Sequence, residues 1–281
     1  MSTTSENPHS FTEAPAPWPC RGEVLWLSGY SSPASGEYPH DSAFNDLERS
    51  SSYADPNISG QFRGGLNSIM IIRYSDTPVG PYDEIIWIPG KFSSPPNNSE
   101  ALRVTRIYVS SKDSVYNGRK NWNIPKELAH FTFTPSSDPN AKTIPYSKIA
   151  VAPVSDPDEP FFVADLTSTW LFSTPVIPFN TSYSPVSMLC IYPPLPQSPQ
   201  WRENGQVGTD RWWSLAAQIK GKAGLFRAKG GLEGEKFGDN VGFPDVKPMS
   251  LGFWLPDAEM LFDVGEEVIE AKGNSDTKKG K

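Results

Sequence analysis

The sequence predicts a mainly β protein, a sandwich or a closed barrel with a few short helices, and three observations carry that expectation. Proline (29) and glycine (22) punctuate all 281 residues so densely that the longest stretch free of both is 97–117. A long helical bundle or coiled coil does not tolerate helix breakers at that density. Aromatic residues make up 12% of the chain, which supplies the large apolar areas a core needs and argues against disorder. Short runs of β-branched and aromatic residues recur between turn residues, the pattern of strands joined by tight connections.

In chain order those runs are 24–27, 68–74, 84–92, 103–110, 130–134, 148–154, 161–166, 185–192, 212–227 and 249–255. About ten short strands in one domain make a sandwich or a barrel. Two segments, Ile69-Met-Ile-Ile72 and Ile85-Ile-Trp-Ile88, are apolar on both faces. A strand covered on both sides favours a layered barrel, with an inner sheet wrapped by an outer one and a dry interior. Short helices are expected at 42–53 and 125–129, Pro125 taking the first helical position, where its missing N–H does no harm. Residues 1–18 read as a disordered Pro/Ser leader and 271–281 as a disordered tail, leaving 19–270 as a single barrel domain.

Several function classes fall away. A net charge of −7 opposes a nucleic-acid partner, because phosphate binding wants a basic surface. No run approaches the ~18 apolar residues of a membrane span, and the first residues lack the basic and apolar regions of a signal peptide. A cytoplasmic protein is therefore expected. Cys20 and Cys190 read as two unpaired buried thiols, too few for a four-cysteine zinc site. With three histidines (His9, His40 and His130), neither a metal site nor a cofactor is expected. A Ser-His-Asp triad lacks its GxSxG elbow. Arg211-Trp212-Trp213 and the series Lys220, Lys222, Arg227 and Lys229 read as a β-hairpin with a basic outer face.

Two segments carry chemistry. Gly80-Pro-Tyr-Asp-Glu84 runs into the apolar strand 85–88, and Gly118-Arg-Lys-Asn-Trp-Asn-Ile-Pro-Lys126-Glu-Leu-Ala129 surrounds one lysine with Trp122, Ile124, Pro125 and Leu128. Burial penalises the charged form of an amine, so the Lys126 pKa is expected to fall. A neutral amine attacks a carbonyl to form a Schiff base. Glu84, at the start of a buried strand, is expected to be pushed toward protonation and to act as acid and base. Taken alone, either segment is also compatible with a solvated lysine and an ordinary turn.

Gly118-Arg119, then Pro125-Lys126 and Leu128, resembles the G-R-x(5)-P-K-x-L segment of the acetoacetate decarboxylase superfamily, and Gly80-x-Tyr82-x-Glu84 resembles its G-x-Y-x-E segment. The order and the spacing of about 40 residues match, and the clear likeness covers 68–133. The resemblance implies a double-layered, cone-shaped closed β-barrel with a buried lysine. It puts Lys126 on the Schiff-base lysine, Glu84 on a pocket carboxylate and Arg119 on the arginine of the GR pair, an anchor more than a catalyst. Tyr82, Trp87, Trp122, Arg119 and Glu127 are expected around the substrate. Two departures stand out. Glu127 occupies the place of a second lysine, a reversal that would raise the amine's pKa if its charge faced Lys126. Ile69 falls where the decarboxylases carry a second acid, so a larger and less polar substrate than acetoacetate is implied.

The leading expectation is a lysine-dependent lyase acting on a keto acid or polyketide-like carbonyl compound, by decarboxylation or by aldol or dehydration chemistry through an enamine, in specialised metabolism. A barrel that binds a small molecule without transforming it is the alternative from another class. A third is an isomerase or cyclase that uses Glu84 without an imine. Its partner is a small-molecule carbonyl substrate, and a homo-oligomer is compatible with the composition.

Overall fold

The computed structural model describes residues 11–32, 41–137, 142–183 and 188–269. The tail assigned to 271–281, His9 and His40 lie outside the described residues. Sixteen strands build one sheet: β1 (Trp18–Ser31), β2 (Phe62–Asp76), β3 (Tyr82–Ile88), β4 (Lys91–Ser94), β5 (Ser99–Leu102), β6 (Arg106–Val109), β7 (Lys126–Leu128) and β8 (His130–Pro135), then β9 (Tyr146–Ala152), β10 (Phe162–Ser168), β11 (Ile177–Asn180), β12 (Leu189–Tyr192), β13 (Trp213–Ala216), β14 (Gln218–Gly230), β15 (Leu251–Phe262) and β16 (Glu266–Glu267). Among the described residues four α-helices interrupt them: α1 (Asp46–Arg49), α2 (Pro56–Ser59), α3 (Lys112–Trp122) and α4 (Trp201–Asn204).

The order across the sheet is β16-β13-β12-β5-β4-β2-β1-β15-β14-β10-β9-β8, with β11 on β14 and with β3, β6 and β7 branching from β2. Pairing is antiparallel except for β12 on β5 and β7 on β6. The mainly β expectation holds, and every expected strand run contains a strand. Closure does not follow: the hydrogen-bonded order is an open path from β16 to β8.

The doubly apolar runs form the spine of the molecule. On β1, β2 and β3 the residues Val24, Trp26, Met70, Ile72, Ile86 and Ile88 enter one core, while Leu25, Leu27, Ile69, Ile71, Ile85 and Trp87 enter another. Period-two alternation sends neighbours to opposite faces. Both faces are apolar because both are covered.

The helices differ from expectation. Between 42 and 53 the chain makes a 3-10 turn (Asp41–Ala43) and α1 instead of one helix. Residues 125–129 are not helical, since Lys126–Leu128 joins β6 as the parallel strand β7. The longest helix, α3, is one the composition concealed. Ser111 caps it by accepting from the Ser114 N–H at 3.3 Å, and Asn123, at φ 56°, ends it in the left-handed region. Asparagine tolerates that conformation better than most residues. Residues 12–18, assigned to the leader, pack on α3. The Ala14 N–H donates to Asn117 Oδ1 at 2.9 Å, and the Trp18 ring stands edge-on to Trp122 at 5.2 Å.

Candidate active site

Lys126 begins β7, and three elements converge on its amine. Glu84 on β3 pairs with Ile72 of β2 and Val109 of β6, which places its side chain on the first core's face. Tyr82, two residues earlier, shares that face. Ser114 comes from the first turn of α3. Nζ of Lys126 donates to Glu84 Oε2 at 2.7 Å, to Ser114 Oγ at 2.9 Å and to the Tyr82 hydroxyl at 3.2 Å. All three ammonium hydrogens thus have an acceptor. The other carboxylate oxygen, Glu84 Oε1, accepts from the Tyr74 hydroxyl at 3.1 Å. The Lys126 and Glu84 side chains are 5% and 2% exposed.

Gly118 makes room for this arrangement. A Cβ there would lie 2.6 Å from Cδ of Lys126 and 2.8 Å from its Cε. The lysine stem therefore rests directly on the backbone of α3.

The electrostatics reverse the expected direction for the amine. Burial depresses the Lys126 pKa, but the Glu84 carboxylate and the Tyr82 hydroxyl outweigh it and hold the ammonium above the usual lysine range. In a low-dielectric interior an opposite charge at hydrogen-bond distance dominates. Burial also raises the Tyr74 and Tyr82 phenols, so both remain donors.

The amine and carboxylate line a cavity of about 60 Å³. Apart from Tyr82, Tyr192 and Cys190 its other walls are apolar, including Met70, Ile86, Ile107, Trp122, Ile124 and Leu215. Cys190 also lines it, but burial pushes that thiol up to about 11, which keeps it protonated at neutral pH. Cys20 and Cys190 are both free and buried.

Of the residues expected around the substrate, Tyr82 and Trp122 line the cavity and three do not. Trp87 sits three places from Glu84 in the same strand, so it faces the opposite core and packs on Phe243 at 6.4 Å. Glu127 follows Lys126 in β7, points away, and lines a surface cleft with Asp46, Arg106 and Tyr108. Burial and the neighbouring Glu48 carboxylate push its pKa up to about 7. Arg119 is fully buried beside Glu48, Nη1 to Oε1 2.8 Å, and donates to the Val207 and Pro196 carbonyls. It anchors α3 and does not reach the cavity.

Sequence reasoning missed Ser114 and Tyr74. Ser114 lies four residues before Gly118, one turn along the same helix face, a signal that required recognising α3. Tyr74 pairs with Tyr82 across β2 and β3, which only the strand register reveals. Among the described residues no group of three or more His, Cys, Asp or Glu is arranged to hold a metal ion. No helix there is long and apolar enough to cross a membrane.

No protein-family model matches the chain. Its structure is similar to acetoacetate decarboxylase from Legionella pneumophila, with a TM-score of 0.55 and 12% identity, covering 95% of this chain and 92% of that one. It is similar also to an acetoacetate decarboxylase-like enzyme from Sphingomonas wittichii RW1, with a TM-score of 0.57 and 12% identity over 96% and 99%. The fold is therefore acetoacetate decarboxylase-like, as the two motifs implied. In sequence, the protein NEOXANTHIN-DEFICIENT 1 from Arabidopsis thaliana is 29% identical over 77 residues, 27% of either chain. Its namesake from Oryza sativa subsp. japonica is 32% identical over 69 residues, 25% of this chain and 22% of that one. These matches span about a quarter of the relatives' length.

Proposed function

We propose that this chain is a lysine-dependent enzyme in which Lys126 condenses with the carbonyl group of a largely apolar small molecule. The observation that carries the reading is the buried amine of Lys126, 2.7 Å from Glu84 and facing a largely apolar cavity. Glu84 first takes a proton from Nζ, a transfer within hydrogen-bond reach. The freed lone pair attacks the carbonyl carbon. Nζ and Glu84 then supply the two protons with which the carbonyl oxygen leaves as water, and the product is a cationic iminium beside an ionised Glu84. In a retro-aldol cleavage Glu84 takes the proton of the β-hydroxyl, the carbon–carbon bond breaks, an aldehyde or ketone departs, and the bonding pair enters the iminium to form an enamine. Glu84 gives that proton to the enamine carbon, and water hydrolyses the resulting iminium to free Lys126.

The lining also bears on which bond breaks. Among the described residues Lys126 is the one cation that lines the cavity, and Glu84 already engages it. A substrate carboxylate would meet Glu84 with no second cation to balance it. Aldol or dehydration chemistry on a neutral carbonyl therefore suits these walls better than decarboxylation of a keto acid.

The test is reductive trapping. With a methyl ketone and borohydride, mass spectrometry is expected to find the adduct on Lys126 and none in Lys126→Ala. Wild-type protein that gives no adduct, or an adduct elsewhere, sinks the imine. Measurement of CO₂ separates decarboxylation from the neutral reactions.

A second reading draws on the fully occupied ammonium. If Lys126 stays charged, Glu84 can move a proton within the substrate while the ammonium donates a hydrogen bond, as in an isomerase or cyclase. Lys126→Arg keeps the charge but cannot form an imine. Substrate proton exchange that survives in this variant would favour the second reading.

A further inference from the structure

Along one face of β2, alternate residues run from the reacting groups to the surface. Ile72, which pairs with Glu84, and then Met70 line the cavity. Ser68 and Leu66 continue the row and line an adjoining groove of about 330 Å³. Across the sheet the two linings interlock: Trp26 of the groove pairs with Met70 of the cavity, Ser68 with Ile88, and Leu102 with Cys190. Met188 lines both spaces. Phe179 forms a wall, its ring 5.7 Å from Trp26 and 5.8 Å from Phe253. The groove reaches solvent where Leu66 is 46% and Phe253 39% exposed.

We propose that this groove holds the uncharged, apolar tail of a chain-like substrate whose reactive end lies at Lys126, an inference that rests on Lys126 being the reacting group. Among the described residues no charged side chain lines the groove. Two of its polar groups already have partners: Ser68 Oγ accepts from Trp26 Nε1 at 3.0 Å, and Thr181 Oγ1 accepts from the Ile219 N–H at 2.9 Å. The cavity's 60 Å³ holds a head group of a few water volumes, so the rest of a larger molecule must leave past Met188. Methionine suits that junction because its unbranched thioether moves aside at low cost. The six residue steps from Ile72 to Leu66 set the reach at about 20 Å, at ~3.4 Å per step along a strand.

Fatty alcohols test the groove without an imine. The affinities of octanol, dodecanol and hexadecanol, read by quenching of tryptophan fluorescence, are expected to rise about fourfold per methylene while the tail remains inside. The double variant Leu66→Asp/Phe253→Asp changes two exposed positions, and its thermal unfolding checks that it is folded. It is expected to weaken hexadecanol at least tenfold and octanol far less. Equal loss for both alcohols, or no loss, overturns the proposal. Borohydride trapping of acetone and of hexadecyl methyl ketone separates the two readings. If neither ketone is trapped but the alcohols behave as expected, the imine fails and the groove stands. If both are trapped alike and alcohol affinity ignores chain length, the groove fails and the imine stands.

Discussion

A methyl group on Gly118 would stand 2.6 Å from Cδ of Lys126, well inside the ~3.5–4.0 Å at which carbon atoms rest against one another. The glycine in α3 therefore decides where the amine of β7 ends. Gly118→Ala gains about 1 kcal/mol of helix propensity yet forces the lysine stem aside. The expected outcome is at least a tenfold slower borohydride trapping with no rise in Tm. A stabilised protein that traps at the wild-type rate would show that the stem has room to spare.

Removing the amine leaves a buried carboxylate without its counter-charge. Lys126→Met is expected to lower stability by about 3–5 kcal/mol, read from urea unfolding. Glu84→Gln added to it restores at least half of that loss, because a neutral amide still accepts from Tyr74. A double variant as unstable as the single one contradicts the pairing.

Without Glu84 the balance of effects on the amine inverts. Burial, which depresses the Lys126 pKa, then acts without the carboxylate that outweighs it. In Glu84→Gln the pH dependence of acetone trapping is therefore expected to move toward lower pH, while enamine protonation slows. A profile that does not move means that Glu84 does not set the amine's charge.

Glu127 couples stability to pH near neutrality. Its folded-state pKa is raised from 4.5 to about 7, so the folded protein retains a proton that the unfolded chain has released. The stability that Glu127 contributes is greatest below its unfolded value and declines as pH rises from about 4.5 to 7, by about 1 kcal/mol after allowance for partial exposure. Glu127→Gln should flatten that slope in thermal unfolding. Since Glu127 faces away from the amine, it should leave the trapping profile where it was.

Arg119 and Glu48 are buried together under α1 and α3. Arg119→Ala is expected to cost about 3–5 kcal/mol by stranding the Glu48 carboxylate, read as a fall in the urea midpoint. Glu48→Gln, with Arg119 retained, leaves a neutral partner and costs less. Equal losses in the two variants would remove the charge pair as the cause.

The strands were legible because turn residues bracket them and because the runs 69–72 and 85–88 show no polar face. The candidate site was legible in Lys126, Glu84 and Tyr82, whose spacing survives in the motifs. Trp87 and Glu127 were misplaced for one reason, the period-two alternation of a strand. Trp87 stands an odd number of residues from Glu84, and Glu127 stands one residue from Lys126, so neither shares its neighbour's face. The α3 helix stayed hidden because Gly118 reads as a breaker, whereas its role is to admit a side chain. Open pairing between β16 and β8 could not be foreseen, because strand patterning fixes the faces and leaves the edges unspecified.

The Lys126–Glu84 pair sums to zero charge whichever partner holds the proton. Shifting that proton from Nζ to Oε2 redistributes charge over 2.7 Å and leaves the total unchanged, so the apolar walls need admit neither a counter-ion nor a proton from solvent. The site carries its acid and its base within one hydrogen bond. Its opening step on a neutral carbonyl then depends on delivery of the substrate to the amine, and buffer concentration and ionic strength outside leave that step unmoved.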